Sequence, residues 1–190
     1  MFPSIDAYAA DLRALLSSSV TRDDKGSPLA FADAVSATVA HLTALRGTTA
    51  KAIAIGNGGS ASVANHFVLD LWNAADIRAE SFAEPSLLTC MANDYGYANV
   101  FRKPIGMFAD KGDVLLAISS SGKSENILHA VEEAKAKGLW CVTMSGFKPD
   151  NPLSRLGHIN IFVNSGSYGM VELAHAVLCH YIADLLKVKR

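Results

Sequence analysis

"AIGNGGSASVANHFVLD" spans residues 54 to 70, and its reading decides the fold. An apolar run breaks into glycines, a serine follows, and His66 and Asp70 stand four residues apart. The pattern is strand, tight turn, helix. Glycines let a backbone approach a ligand closely, and the first N–H groups of a helix, with its dipole, favour an anion. His66 and Asp70 share one helix face, which suits proton transfer or a metal.

A second junction of the same kind follows in "ISSSGKSEN", residues 118 to 126. Ser119, Ser120, Ser121 and Ser124 gather around one glycine at a helix start. One serine would satisfy a helix cap, so four exceed that need and point to a bound phosphate. Lys123 adds charge there or is solvated surface. "GNGGSA" also fits the dinucleotide fingerprint G-x-G-x-x-A, with Asp76 or Glu80 near the position of a ribose-binding acid. The second loop needs no base or ribose. A terminal phosphate on a small molecule accounts for both.

Working outward, "KAIAI" (51–55), "IRAESF" (77–82), "DVLLAIS" (113–119), "LWCVTMSG" (139–146) and "INIFVN" (159–164) read as five strands. Helices are expected from Ser60 to Asn73, after the serine loop, and from Tyr168 to Lys187. Apolar strands alternating with helices predict an α/β fold, a three-layer α-β-α sandwich around a mostly parallel, flavodoxin-like sheet. Before it, helical spacing over residues 4–19, with Ser4 as N-cap, and over 29–46 predicts an N-terminal helical hairpin, broken by the polar "TRDDKGSP". The expected organisation is one domain over 1–190, with helices in 1–48 and the α/β core in 49–190. The hairpin's apolar excess suits packing against another subunit.

The 190 residues are 50% hydrophobic and 18% charged with a net charge of −1, an ordinary globular composition without broad pull toward nucleic acid or acidic membranes. Cys90, Cys141 and Cys179 lack zinc-knuckle or redox spacing and read as buried hydrophobes in a reducing compartment. The N-terminus lacks the basic flank of a signal peptide, and no apolar stretch reads as long enough to span a bilayer, so a cytoplasmic protein is expected.

"GNGGSA" with "NHF", "ANDYGY", "GDVLLAISSSGKSENI" and the final E-x-A-H with a later histidine resemble the sugar isomerase (SIS) domain. Within it they resemble the phosphoheptose isomerases, over essentially the whole chain. The resemblance implies an enzyme interconverting sedoheptulose 7-phosphate and D-glycero-D-manno-heptose 7-phosphate, working as a homotetramer. It implies phosphate on Ser119, Ser120, Ser121 and Ser124, and substrate contacts from Asn57, Gly58, Gly59, Ser60 and Glu172. Asn93 and Asp94 would hold sugar hydroxyls. Asp70 and His180 would be the acid–base pair, and zinc would fall on His66, Asp70, Glu172 and His180. The family usually has glutamate where this chain has Asp70 and glutamine where it has Glu172.

Aldose–ketose isomerisation needs a base close to carbon and a partner shuttling a proton between oxygens. Glu172 and His180 lie about 12 Å apart along one helix, so a site using both is easier to assemble if a neighbouring subunit contributes. His41, His129 and His158 read as structural, His175 stays unassigned, and Trp72 and Trp140 read as core or interface packing. Two rivals accompany the isomerase: a non-catalytic relative that binds the replication initiator, and a sugar-phosphate sensor.

Overall fold

Every apolar run read as a strand pairs into one sheet. The computed structural model describes residues 4–188. In chain order the elements are α1 (Ile5–Ser17), β1 (Val20–Asp23), β2 (Pro28–Leu29), α2 (Phe31–Thr43), β3 (Ala52–Ile55), α3 (Gly59–Ala74) and β4 (Ala79–Glu80). Then follow α4 (Pro85–Tyr95), α5 (Arg102–Phe108), β5 (Val114–Ser119), α6 (Glu125–Ala136), β6 (Trp140–Gly146), β7 (Ile159–Val163) and α7 (Tyr168–Leu186). The sheet order is β2-β1-β7-β6-β5-β3-β4.

β3 through β7 are parallel neighbours, and all six residues of β5 are buried. Such a strand is apolar on both faces because helices cover both. On one face α2, α3 and α7 bring Leu42, Phe67, Leu71, Leu178 and Ile182 against Ile118, Met144 and Ile161. On the other, α5 and α6 bring Ile105, Ile127 and Val131 against Ile53, Leu115 and Cys141. Each fully buried large side chain contributes roughly 1.5–3 kcal/mol. This is the expected α-β-α sandwich.

Its edge differs from expectation. The sheet has seven strands rather than five, because the polar break is a β-hairpin: β1 pairs antiparallel with β7, and β2 with β1. The supposed helical hairpin is therefore interrupted by sheet. An edge strand with one wet face carries little apolar signal. Asp23 Oδ1 accepts from the N–H groups of Lys25 and Ser27, closing the turn, while the buried Thr21 hydroxyl donates to Leu29 O at 2.7 Å. Residues 85–108, left without structure by pattern, form α4 and α5.

Ser4 caps α1, accepting from Ala7 N, as its position predicts. Cys141 and Cys179 are buried and their thiols are pushed up to about 12 by burial, whereas Cys90 lies exposed on α4, contrary to expectation. Among the described residues one helix, α7, does have the length and apolarity to cross a membrane, which corrects the sequence reading. Half of its apolar window is buried against α3 and the sheet, as befits a core helix. The structural histidines are explained by contacts. His41 stacks on Trp140 with ring centroids 3.9 Å apart, His158 Nδ1 accepts from Cys141 N, and His129 Nδ1 lies 3.1 Å from Ala98 O.

Arg46, just beyond α2, ties two helix ends together. Its Nε donates to Ala75 O after α3, and its Nη2 donates to Leu186 O at the end of α7. Those carbonyls lie where helix C-termini leave acceptors unsatisfied. Replacing Arg46 with methionine should lower stability by about 2 kcal/mol, because two charge-assisted bonds are lost. Denaturant unfolding should show the loss while the circular dichroism spectrum of the folded protein stays unchanged.

Candidate functional site

β3 and β5 are adjacent, but the chain leaves β3 toward β4 on one side and continues from β5 toward β6 on the other. Ligands in open α/β sheets bind at such a switch point, outside the carboxyl ends of the strands. Both glycine and serine loops open here. A cavity of about 240 Å³ is lined by Asn57, Gly58, Gly59, Ser60, Ser119, Ser120, Ser121, Ser124, Tyr168 and Glu172.

The hydroxyls are organised by neighbours rather than spent on helix caps. Ser60 Oγ lies 3.4 Å from Ser120 Oγ, and the Ser119 hydroxyl donates to Ser124 Oγ at 3.3 Å. Ser124 is the N-cap residue of α6, yet its side chain makes no capping bond, and Gly58 before α3 has none to offer. Two helix N-termini thus face the cavity without side-chain caps. Lys123 is exposed, in keeping with a solvated lysine.

Two glycines leave space that neighbouring side chains fill. Gly122 has φ +64, and a Cβ there would collide with the buried Asn151 side chain that braces the loop. At Gly59 a Cβ would fall on the Glu172 carboxylate, so a side chain there would displace Glu172 from its place in the cavity.

Two turns along the α3–α7 seam, His66, Asp70 and His180 converge. His66 Nε2 is 3.7 Å from Asp70 Oδ1, and His180 Nδ1 is 3.2 Å from Asp70 Oδ2. The two imidazoles meet edge to face with centroids 4.8 Å apart. One ligand atom from each of the three lies within 4.8 Å of the others. Zinc with nitrogen and oxygen ligands at about 2.0–2.1 Å holds its donors roughly 3.3 Å apart, so the donor types fit a metal and the three side chains would draw together to bind one. The shallow cavity of about 220 Å³ around them is also lined by Ser62, Val63, Phe67, Ala176 and Cys179.

The structure departs from the expected set at three residues. Glu172 stands in the serine cavity and is absent from the metal-ligand cluster, because it precedes His180 by two helical turns. Asn93 and Asp94 do not line the cavity. Both are exposed on α4, where the Asn93 amide donates to Asp94 Oδ1 and Cys90 Sγ donates to Asp94 Oδ2.

Three contributors escaped the sequence reading. Tyr168 lines the cavity, Asn126 is buried behind it, and the Tyr97 hydroxyl donates to Asn57 Oδ1 at 3.0 Å. Asn126 was visible as an amide within the second motif; Tyr168 and Tyr97 left no local signal. His175, unassigned by sequence, is fully buried, with Nε2 3.3 Å from Ser145 O and Nδ1 without a hydrogen-bond partner.

The chain matches the SIS domain family over residues 8–146. It is 41% identical to a phosphoheptose isomerase of Cytophaga hutchinsonii over 143 residues, covering 72% of this chain and 74% of that one. It is 37% identical to the phosphoheptose isomerase of Coxiella burnetii over 147 residues, 73% of this chain and 74% of the relative. In fold it is similar to the phosphoheptose isomerase of Neisseria gonorrhoeae, with a TM-score of 0.82 at 24% identity over 96% of this chain and 97% of that chain. The corresponding Francisella tularensis structure gives 0.81 at 24% identity, covering 96% and 95%.

Burial pushes the His175 pKa down to about 4 from 6.5. The unfolded chain therefore binds the extra proton first as pH falls. The stability that neutral His175 confers is complete above about pH 6.5 and drains away toward pH 4, by about 3 kcal/mol in all. His175→Gln keeps a donor for Ser145 O and has no proton to gain. Its unfolding free energy, measured from pH 7 to 4, should decline less steeply than the wild-type value by about that amount.

Proposed function

The chain belongs to the phosphoheptose isomerase family of SIS-domain proteins, and from that premise we propose that it interconverts sedoheptulose 7-phosphate and D-glycero-D-manno-heptose 7-phosphate. A phosphosugar isomerase must bind a phosphate monoester and move a proton between adjacent carbons. The observation that carries this reading is the switch-point cavity, where four serines, two uncapped helix starts and the Asn57–Ser60 turn converge.

In this reading the phosphate is held by Ser119, Ser120, Ser121 and Ser124 and by backbone N–H groups at the start of α6. Asn57, Gly58, Gly59, Ser60 and Glu172 contact the rest of the sugar, with Asn93 and Asp94 reaching its hydroxyls if α4 moves inward. Glu172 and His180 are about 12 Å apart along α7, a span suited to a long sugar phosphate rather than a triose. Asp70 accepts the proton from carbon to give the enediol, and returns it to the adjacent carbon. His180, paired with Asp70, moves the proton between the two oxygens. Asp70 lies within ion-pair distance of both imidazoles.

His66, Asp70 and His180 are the residues that would hold zinc. Zinc bound there supplies Lewis-acid polarisation of a sugar oxygen. Asp70 has a second oxygen and His180 a second nitrogen, so ligation through one atom leaves another to meet substrate.

A homotetramer with its sites near subunit interfaces completes the proposal. Leu173, Val177, Tyr181 and Leu185 form an exposed stripe down α7, with Leu69 and Trp72 exposed on α3 beside it. The stripe flanks His66 and His180, whose side chains are 61% and 54% exposed. A second copy seated on it would enclose the triad. A cytoplasmic location accords with this chemistry.

Purified protein incubated with sedoheptulose 7-phosphate, with and without added zinc, should form the aldose heptose 7-phosphate. Asp70→Asn and His180→Gln should each lower kcat by about 10²–10⁴-fold while folding is retained. No turnover under either condition would overturn the proposal.

A further inference from the structure

The cavity's glycine loop and serine loop are joined behind its wall by a reciprocal amide pair. Asn57 Nδ2 donates to Asn126 Oδ1 at 2.9 Å, and Asn126 Nδ2 donates to Asn57 Oδ1 at 2.9 Å. Asn126 is 98% buried, two residues after Ser124 in the first turn of α6. The Tyr97 hydroxyl, from the short helical turn between α4 and α5, gives Asn57 Oδ1 its second donor at 3.0 Å. An amide oxygen has two lone pairs, so Asn57 Oδ1 is saturated. Its Nδ2 has a second N–H, and Asn57 lines the cavity. A buried amide such as Asn126 is held only at a desolvation cost unless its bonds are made, and here they fix another residue's rotamer.

We propose that Asn126 and Tyr97 are positioning residues of the sugar-phosphate site: they lock the Asn57 amide so that its remaining N–H donates to a sugar oxygen. This rests on the isomerase reading above. Saturation of Oδ1 makes Asn57 a donor toward substrate, suited to a carbonyl or enediolate oxygen. The same pair ties the end of β3 to the start of α6, so the two loops keep one spacing. Tyr97 acts from a different segment, which links the α4–α5 region to the cavity through a single hydroxyl.

A double-mutant cycle tests this. Tyr97 is 60% exposed, so Tyr97→Phe removes the hydroxyl without emptying the core. It should weaken sedoheptulose 7-phosphate binding and lower kcat/KM by about three- to tenfold, the worth of one neutral hydrogen bond. Affinity for inorganic phosphate, which the serine loop holds, should change less than twofold. In an Asn57→Ala background Tyr97→Phe should have no further effect, and Asn126→Ala, wherever it folds, should behave likewise. Full additivity of Tyr97→Phe with Asn57→Ala, or no change in sugar-phosphate affinity, overturns the positioning role. The two failures are separable. Wild type that neither binds nor turns over the sugar phosphate removes the isomerase reading, whereas an active wild type with additive variants removes only this inference.

Discussion

The side-by-side pairing of β3 with β5 is the constraint on which everything else in this protein depends. The register sets Ala52 against Val114 and Ile55 against Ala117, so β3 ends opposite Ala117 and β5 runs on only to Ser119. Their following loops must then emerge next to each other. Because α3 packs on one face of the sheet and α6 on the other, the two helix N-termini approach the gap between the loops from opposite sides. A partial positive charge at each helix start is a consequence of peptide geometry. Placing two of them at one gap is a consequence of topology. The serines and Asn57 refine a preference that the sheet order has already created.

The seam between α3 and α7 carries the second half of the candidate site and obeys a different constraint. Where α7 passes the start of α3, the Glu172 carboxylate occupies the space that a Cβ on Gly59 would take. From that crossing the helices run together, so that Asp70 and His180 meet two turns further on. Arg46 closes the far end by binding the last carbonyls of both. A shift of α7 by one turn would therefore cost the triad, the Gly59 contact and the Arg46 clamp at once.

What was legible in the sequence follows from how local its cause is. The strands from β3 to β7 were visible because burial on both faces forces continuous apolar runs, and both ligand loops were visible because glycine and serine clusters have few other uses. The β1–β2 hairpin was hidden, since an edge strand such as "VTRD" is half wet and its turn is closed by a single aspartate. The meeting of His66 with Asp70 is a matter of helical spacing. That His180 joins them, and Glu172 does not, depends on how two helices separated by ninety residues of chain lie together, which no local pattern encodes. Tyr97 and Tyr168 escaped for the same reason.

Charge places further limits on how a dianionic ligand sits in this cavity. None of the residues lining it is a lysine or arginine, and the one formal charge among them is Glu172. Attraction must come from neutral donors: hydroxyls, an amide and helix-start N–H groups, which act without the strong desolvation cost of a buried cation. A phosphate beside Glu172 would be repelled, so the monoester belongs at the Ser119–Ser124 end, with Glu172 facing the carbohydrate, whose hydroxyls donate to a carboxylate. For the proposed sugar phosphate, that repulsion would point the unphosphorylated end along α7 toward Asp70 and His180. In the proposed reading, one carboxylate at residue 172 does for direction what the serines do for affinity.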